Sequence, residues 1–144
     1  IDTEPAWSPD GRSVYFTSDR SGAPQVYHLG LASGERPQRI TYEGSYNASP
    51  RVSPDGRELA VVTLDRGAYR IAAVSIEHGG LRVLSNGRHD ESPSFAPNGA
   101  DLIYATREGG RGVLALVSID GRIQQRLAAT AGEVREPAWS PFVY

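Results

Sequence analysis

Short apolar runs alternate with turn residues along the whole chain, and two patterns recur. Residues 13–18 alternate, with Val14 and Phe16 on one side and Tyr15 and Thr17 on the other, which predicts a strand. Leu59-Ala60-Val61-Val62 and Val113-Leu114-Ala115-Leu116-Val117 are apolar without interruption. A strand covered on both faces needs that pattern. Twelve strands are predicted in three sets of four: 6–8, 13–18, 25–31 and 38–41; then 51–53, 58–63, 69–76 and 81–85; then 94–96, 101–106, 113–119 and 124–127. No helix is predicted. Residues 126–133 have some helical character, but they contain Thr130 and Gly132 and align with the connections after Ile40 and Leu84, so they are assigned to a loop.

A repeat sets this rhythm. Glu4-Pro5-Ala6-Trp7-Ser8-Pro9-Asp10-Gly11 returns as Ser49-Pro50-Arg51-Val52-Ser53-Pro54-Asp55-Gly56, then as Ser92-Pro93-Ser94-Phe95-Ala96-Pro97-Asn98-Gly99. Glu136-Pro137-Ala138-Trp139-Ser140-Pro141 opens a fourth copy. The leading prolines, Pro5, Pro50, Pro93 and Pro137, are 45, 43 and 44 residues apart. That period fits the four-stranded units of a β-propeller. In each unit Pro presets φ, Asp or Asn bonds the backbone ahead, and Gly accepts positive φ, so Pro-Asp-Gly reads as a turn. Asp10 and Asp55 recur at one turn position, which assigns them to the turn rather than to acid catalysis. The expected fold is all-β: a partial propeller of three four-stranded blades, residues 1–45, 46–88 and 89–132, with an extra inner strand in 133–144 at Ala138-Trp139-Ser140. Propellers hold about four to eight blades. Three blades leave two open faces, so the chain is expected to belong to a longer propeller, with the extra strand closing the ring, or to self-associate.

Composition narrows the function classes. The 144 residues carry a net charge of −2, with no basic excess for nucleic acid. No apolar run approaches the roughly 18 residues of a membrane helix. Residues 1–4 lack the charged and apolar regions of a signal peptide. Cys is absent, which excludes disulfide and thiolate chemistry, and Met is absent, which suggests a processed chain or a cut-out piece. There is no Gly-x-Ser-x-Gly elbow, and Gly109-Gly110-Arg111-Gly112 is not followed by Gly-Lys-Ser/Thr. The three histidines, His28, His78 and His89, have no metal-ligand spacing. Trp7 and Trp139 occupy the inner-strand position of Val52 and Phe95 and are expected to pack.

The repeat Pro-x-Trp-Ser-Pro-Asp-Gly-Arg resembles the propeller repeats of the TolB family. So do Thr3-Glu4-Pro5, Phe16-Thr17-Ser18-Asp19, Pro24-Gln25-Val26-Tyr27, Pro37-Gln38-Arg39-Ile40-Thr41 and Asp90-Glu91-Ser92-Pro93-Ser94. Leu116-Val117-Ser118 with Asp120-Gly121-Arg122 continues the series, and Pro137-Ala138-Trp139-Ser140-Pro141 is similar to that family's ending. The resemblance implies the C-terminal half of a six-bladed propeller, without the family's N-terminal α/β domain and about three blades. It further implies a non-enzymatic periplasmic protein of the Tol–Pal system. Such a protein docks the outer-membrane lipoprotein Pal, works with other Tol proteins, is exploited by colicin translocation segments, and serves outer-membrane integrity and constriction during division. The alternative is the substrate-gating propeller of a serine-peptidase-type enzyme.

Strand order places the connections into the inner strands, together with the loops between second and third strands, at one mouth of the channel. The candidate partner-binding residues there are Thr3, Glu4, Asn47, His89, Asp90 and Glu136. Thr3 and Glu4 resemble the family's Pal-contacting edge. No cofactor is expected. Glu4, Asp90, Glu91 and Glu136 offer oxygen ligands of the kind Ca²⁺ takes, but not in EF-hand spacing; carboxylates screened by water and neighbouring Arg are the plainer reading.

Overall fold

The computed structural model describes residues 1–127 and 132–142. Twelve strands form three antiparallel sheets, and no helix occurs among the described residues. Blade 1 is β1 (Asp2–Trp7), β2 (Ser13–Ser18), β3 (Gln25–Gly30) and β4 (Gln38–Arg39), in that order across the sheet. Blade 2 is β5 (Asn47–Val52), β6 (Glu58–Asp65), β7 (Ala68–Ser75) and β8 (Leu81–Val83). Blade 3 is β9 (Glu91–Phe95), β10 (Asp101–Glu108), β11 (Arg111–Ser118) and β12 (Gln124–Arg126).

The two-sided apolar pattern of the middle strands is used as a spacer between blades. Leu59, Val61, Ala72 and Val74 of blade 2 pack on Tyr15 and Val26 of blade 1. The opposite face of blade 2, through Ala60, Val62, Ile71 and Ala73, packs on Leu102, Tyr104, Ala115 and Val117 of blade 3. Blade 2 is therefore a sheet filled on both sides, while blades 1 and 3 each have one covered face. The outermost strands β4, β8 and β12 are only two or three residues long, which keeps those edges short; β4 and β12 are polar throughout, and β8 is Leu81-Arg82-Val83.

The inner strands run further toward the mouth than the sequence pattern indicates, because each contains a bulge. Register slips between Thr3 and Ala6 in β1, between Ala48 and Arg51 in β5, and opposite Ile103 and Ala105 in β9. At each slip the residue before the repeat proline has a left-handed backbone: Glu4 (φ 57°), Ser49 (φ 54°) and Ser92 (φ 55°). Glu136 repeats it at φ 50°. A residue before proline is pushed toward extended geometry and a residue other than glycine avoids positive φ, so this bulge is a strained, repeated device. Pattern reading stops at the bulge because alternation breaks there.

Two expectations are corrected. Residues 138–140 do not form a strand; the segment lies beside blade 3, where Trp139 N donates to Ser94 Oγ at 3.0 Å, and no neighbouring strand pairs with it. Trp7 is not packed: it is 64% exposed, because no blade lies against the face it would cover, whereas Trp139, 39% exposed, rests half-covered beside Phe95 and Pro97 of blade 3. The loop expected over 126–133 begins after Arg126, the last residue of β12, and residues 128–131 of it lie outside the described residues.

The turns do what the repeat implies. Ser8 Oγ donates to Asp10 Oδ1 at 2.6 Å and Arg12 N to the same oxygen at 2.9 Å; Ser53, Asp55 and Arg57 repeat this at 2.6 and 3.0 Å. Ser118, Asp120 and Arg122 build the same turn between β11 and β12. These bonds favour the charged carboxylate, first through the serine and then through the arginine N–H, and lower the pKa of Asp10, Asp55 and Asp120 below the ordinary aspartate value. A lowered folded-state pKa adds stability that is full above the unfolded value and is lost as pH falls through the folded one. Acid titration of the fold is therefore expected to show a plateau above about pH 5 and a decline below it. Asp55→Asn, which copies Asn98, should flatten that decline in denaturant melts at several pH values.

Candidate functional site

At the mouth end of the blades the connections are tied down by a hydroxyl–carboxamide or hydroxyl–carboxylate bracket. In the first connection Thr41 Oγ1 accepts from Val26 N (2.9 Å) and donates to Gln25 Oε1 (2.7 Å), and Asn47 Nδ2 donates to that oxygen (3.0 Å) and to Glu43 O (2.7 Å). In the second, Ser85 Oγ accepts from Ile71 N (2.8 Å) and donates to Asp90 Oδ2 (2.6 Å), which also accepts from Gly87 N (2.9 Å). Asn47 and Asp90 stand three residues before Pro50 and Pro93, so they are the same repeat position. They are 0% and 1% exposed. This corrects their expected placement: both polar side chains face inward to fasten each blade to the next, not outward onto the mouth.

Glu4 has a double character. It is exposed, yet its carboxylate spans two blades: Oε2 accepts from Thr17 Oγ1 at 2.9 Å and from Ser49 N at 3.0 Å, and Oε1 accepts from Ser49 Oγ at 2.8 Å. The bulge explains why. Ser49 N–H is turned out of its own ladder and Pro50 has no N–H, so the blade 1 groups Glu4 and Thr17 supply its acceptors.

Two recesses open on this end. One, of about 240 Å³, is lined by Glu4, Tyr46, Ser49, Tyr69, His89 and Glu91, with Asp90 and Val62 behind them. A second, of about 410 Å³, lies along the bulges between Glu4, Ser49, Arg51, Ser92 and Glu136. The structure thus brings Glu4 together with His89 in one recess and with Glu136 in the other. Thr3 is exposed on β1 opposite Thr17 and lines neither recess. His89 is exposed, held by a parallel backbone bridge to Tyr69. Its equivalent one repeat earlier is Tyr46, whose ring meets Tyr69 edge to face at 5.3 Å. Burial, then the nearby Glu4 carboxylate, raises the Tyr46 pKa above the usual phenol value. The tyrosine pair was absent from the sequence-derived set; aligning His89 with Tyr46 indicates one member, while Tyr69 is brought in only by strand register.

One ion pair braces this end in blade 1. Arg20 donates to both oxygens of Asp2 at 2.9 Å and lies over the rings of Phe16 (5.3 Å) and Tyr27 (4.9 Å). Bonds from Ser18 first and Arg20 second lower the Asp2 pKa. Among the described residues no three or more His, Asp or Glu side chains converge as a metal-ligand set. Of the remaining histidines, His28 packs against Tyr15 with ring centroids 4.7 Å apart, and His78 is exposed beside Glu77.

Repeated four-stranded blades, each with an inner strand bulged before a fixed proline, define part of a β-propeller. The profile described as "TolB beta propeller domain" matches residues 1–143, and the chain belongs to that family. It is 54% identical over 142 residues to the Tol-Pal system protein TolB of Bordetella pertussis, covering 99% of this chain and 32% of that relative. The crystal structure of TolB from Acinetobacter baumannii superposes with a TM-score of 0.91 at 46% identity, over 99% of this chain and 36% of that one. The chain thus spans about a third of the length of these relatives. The crystal structure of puromycin hydrolase shares the fold, with a TM-score of 0.74 at 17% identity over 98% of this chain and 24% of that one.

Two substitutions test the mouth as a folded unit. A Cβ at Gly87 would stand 1.9 Å from Asp90 Oδ1, so Gly87→Ala should cost about 2–3 kcal/mol in equilibrium denaturation, as overpacking does. Glu4→Ala removes the acceptor of three hydrogen bonds, two of them from blade 2 to blade 1, and should lower stability by about 1 kcal/mol in the same assay.

Proposed function

We propose that this chain is the protein-docking part of a Tol–Pal system propeller, working in the periplasm without catalysis. Its mouth receives the periplasmic domain of a Pal-type outer-membrane lipoprotein, and colicin translocation segments exploit the same surface. Through that contact, and with other Tol proteins, it supports outer-membrane integrity and constriction during division. The observation that carries this reading is the 54% identity to the Bordetella pertussis protein along 99% of the chain, joined to a recessed mouth in the same stretch. The wider recess and its neighbour suit a polar protein surface, with aromatic Tyr46 and Tyr69 as apolar anchors and His89, Glu4 and Glu136 as rim groups. Thr3 sits at the edge of that rim. Asn47 and Asp90 contribute by holding the connections that carry Tyr46 and His89.

The reading is tested by calorimetric titration of a Pal-type periplasmic domain into the protein. His89→Ala should weaken binding by about 1–3 kcal/mol while leaving the melting temperature unchanged, since the His89 side chain is exposed. Binding that survives His89→Ala and Tyr69→Ala together at full strength would remove this mouth from the interface.

A further inference from the structure

Two asparagines of this chain are followed by glycine, in Asn86-Gly87 and Asn98-Gly99, and the fold treats them in opposite ways. Asn98 stands in the Pro-Asn-Gly turn before β10. Its Oδ1 accepts from Ala100 N at 2.9 Å, and Gly99 N donates to Ala96 O at 2.9 Å. The side chain and the amide that follows it are both engaged with other backbone groups.

Asn86 stands in the connection between β8 and β9, at the mouth. Its side chain is exposed and makes no hydrogen bond among the described residues. The amide that follows it, Gly87 N, donates to Asp90 Oδ2 at 2.9 Å. That oxygen belongs to a side chain only 1% exposed, and Ser85 Oγ fixes it at 2.6 Å. The other oxygen, Oδ1, is buried without a hydrogen-bond partner and fills the space in which a Cβ of residue 87 would stand. Glycine is therefore compelled after Asn86 by the same carboxylate that takes the amide hydrogen. Attack of a backbone amide on a neighbouring side-chain amide needs just these conditions. The nitrogen needs a base for its proton, the side-chain carbonyl carbon needs freedom to swing onto the nitrogen, and no side chain on the next residue should stand in the way.

We propose that Asn86 is a self-modifying site, at which Asp90 serves as the base for deamidation of the Asn86 side chain. As the Gly87 N–H proton passes to Asp90 Oδ2, Gly87 N bonds to Asn86 Cγ. The Cγ–Nδ2 bond then breaks, the proton goes to the leaving nitrogen, and ammonia departs from a five-membered succinimide. Water opens the ring at either carbonyl. Cleavage of the new N–Cγ bond gives aspartate, and cleavage of the original backbone C–N bond gives isoaspartate. Either product adds a negative charge to a chain of net charge −2. Isoaspartate also lengthens the backbone by one methylene, immediately before the bracket that holds the connection carrying His89. The mouth therefore changes with the age of the molecule. Its effect on a partner rests on the docking role proposed above, whereas the modification does not.

The intact chain is incubated at neutral pH, folded and in urea, and digested with trypsin over time. Asn86 falls in the peptide 83–88 and Asn98 in the peptide 89–107, so mass spectrometry reads the two conversions from amide to acid separately. Folding should speed conversion at Asn86 by about tenfold over the unfolded chain and slow it at Asn98. Asp90→Asn, which places the side chain of Asn47 at the equivalent position, should remove the acceleration. Conversion at Asn86 that is slower in the folded chain than in urea, or that folded Asp90→Asn leaves unchanged, would overturn the proposal. A Pal-type domain titrated into fresh and aged protein reads the effect on the mouth, with aged Asn86→Gln as the control. Binding should weaken as isoaspartate accumulates in the wild type and hold in the control; equal binding by fresh and aged wild type would overturn that effect. Fresh protein that fails to bind would count against the docking reading alone, since the mass result needs no partner.

Discussion

A blade of this protein is apolar on both faces, and such a sheet is stable only when something lies against each of them. That requirement governs the molecule. Blade 2 meets it fully, and its central residues, from Leu59 to Val61 and from Ile71 to Val74, are wholly removed from water. Blades 1 and 3 meet it on one side each. Stability is then shared between neighbours rather than owned by a sheet, as in other stacked-repeat architectures.

The second recurring device is the bulge before the repeat proline. Four residues at one repeat position, Glu4, Ser49, Ser92 and Glu136, hold positive φ, and none of them is glycine. The bulge frees a backbone N–H at the blade junction and turns the inner strand. At the junction of blades 1 and 2 that N–H belongs to Ser49, and the acceptors come from Glu4 and Thr17 of the blade before. Local strain is thereby linked to inter-blade bonding. The mouth is built on these junctions, which is why its polar groups divide into brackets that hold the blades and side chains left open to a partner.

Much of the architecture was readable along the chain because its causes are local. The period of the prolines marks the blades, alternation in Ser13–Ser18 marks a strand, and Pro-Asp-Gly marks the turns, each by chemistry within a few residues. The mouth was readable as a region but not residue by residue. Asn47 and His89 both fall in connections of similar polarity, yet one side chain is buried under Gln25 and Glu43 while the other is exposed. Nothing in the spacing separates these fates. Tyr69 joins the recess only because β7 runs beside the connection that carries His89.

By itself the sequence determined the all-β class, the blade count, the turn chemistry and the family signature, since each is written in residue type and interval. Only the tertiary structure decided which side of each strand is sealed, that Glu4 reaches across to Ser49, and that Ala138–Ser140 does not pair as a strand. Those outcomes turn on what lies against a face or an edge. A strand needs a neighbour to donate to, a face needs a second sheet to exclude water, and residues 45 apart meet only when two blades are stacked.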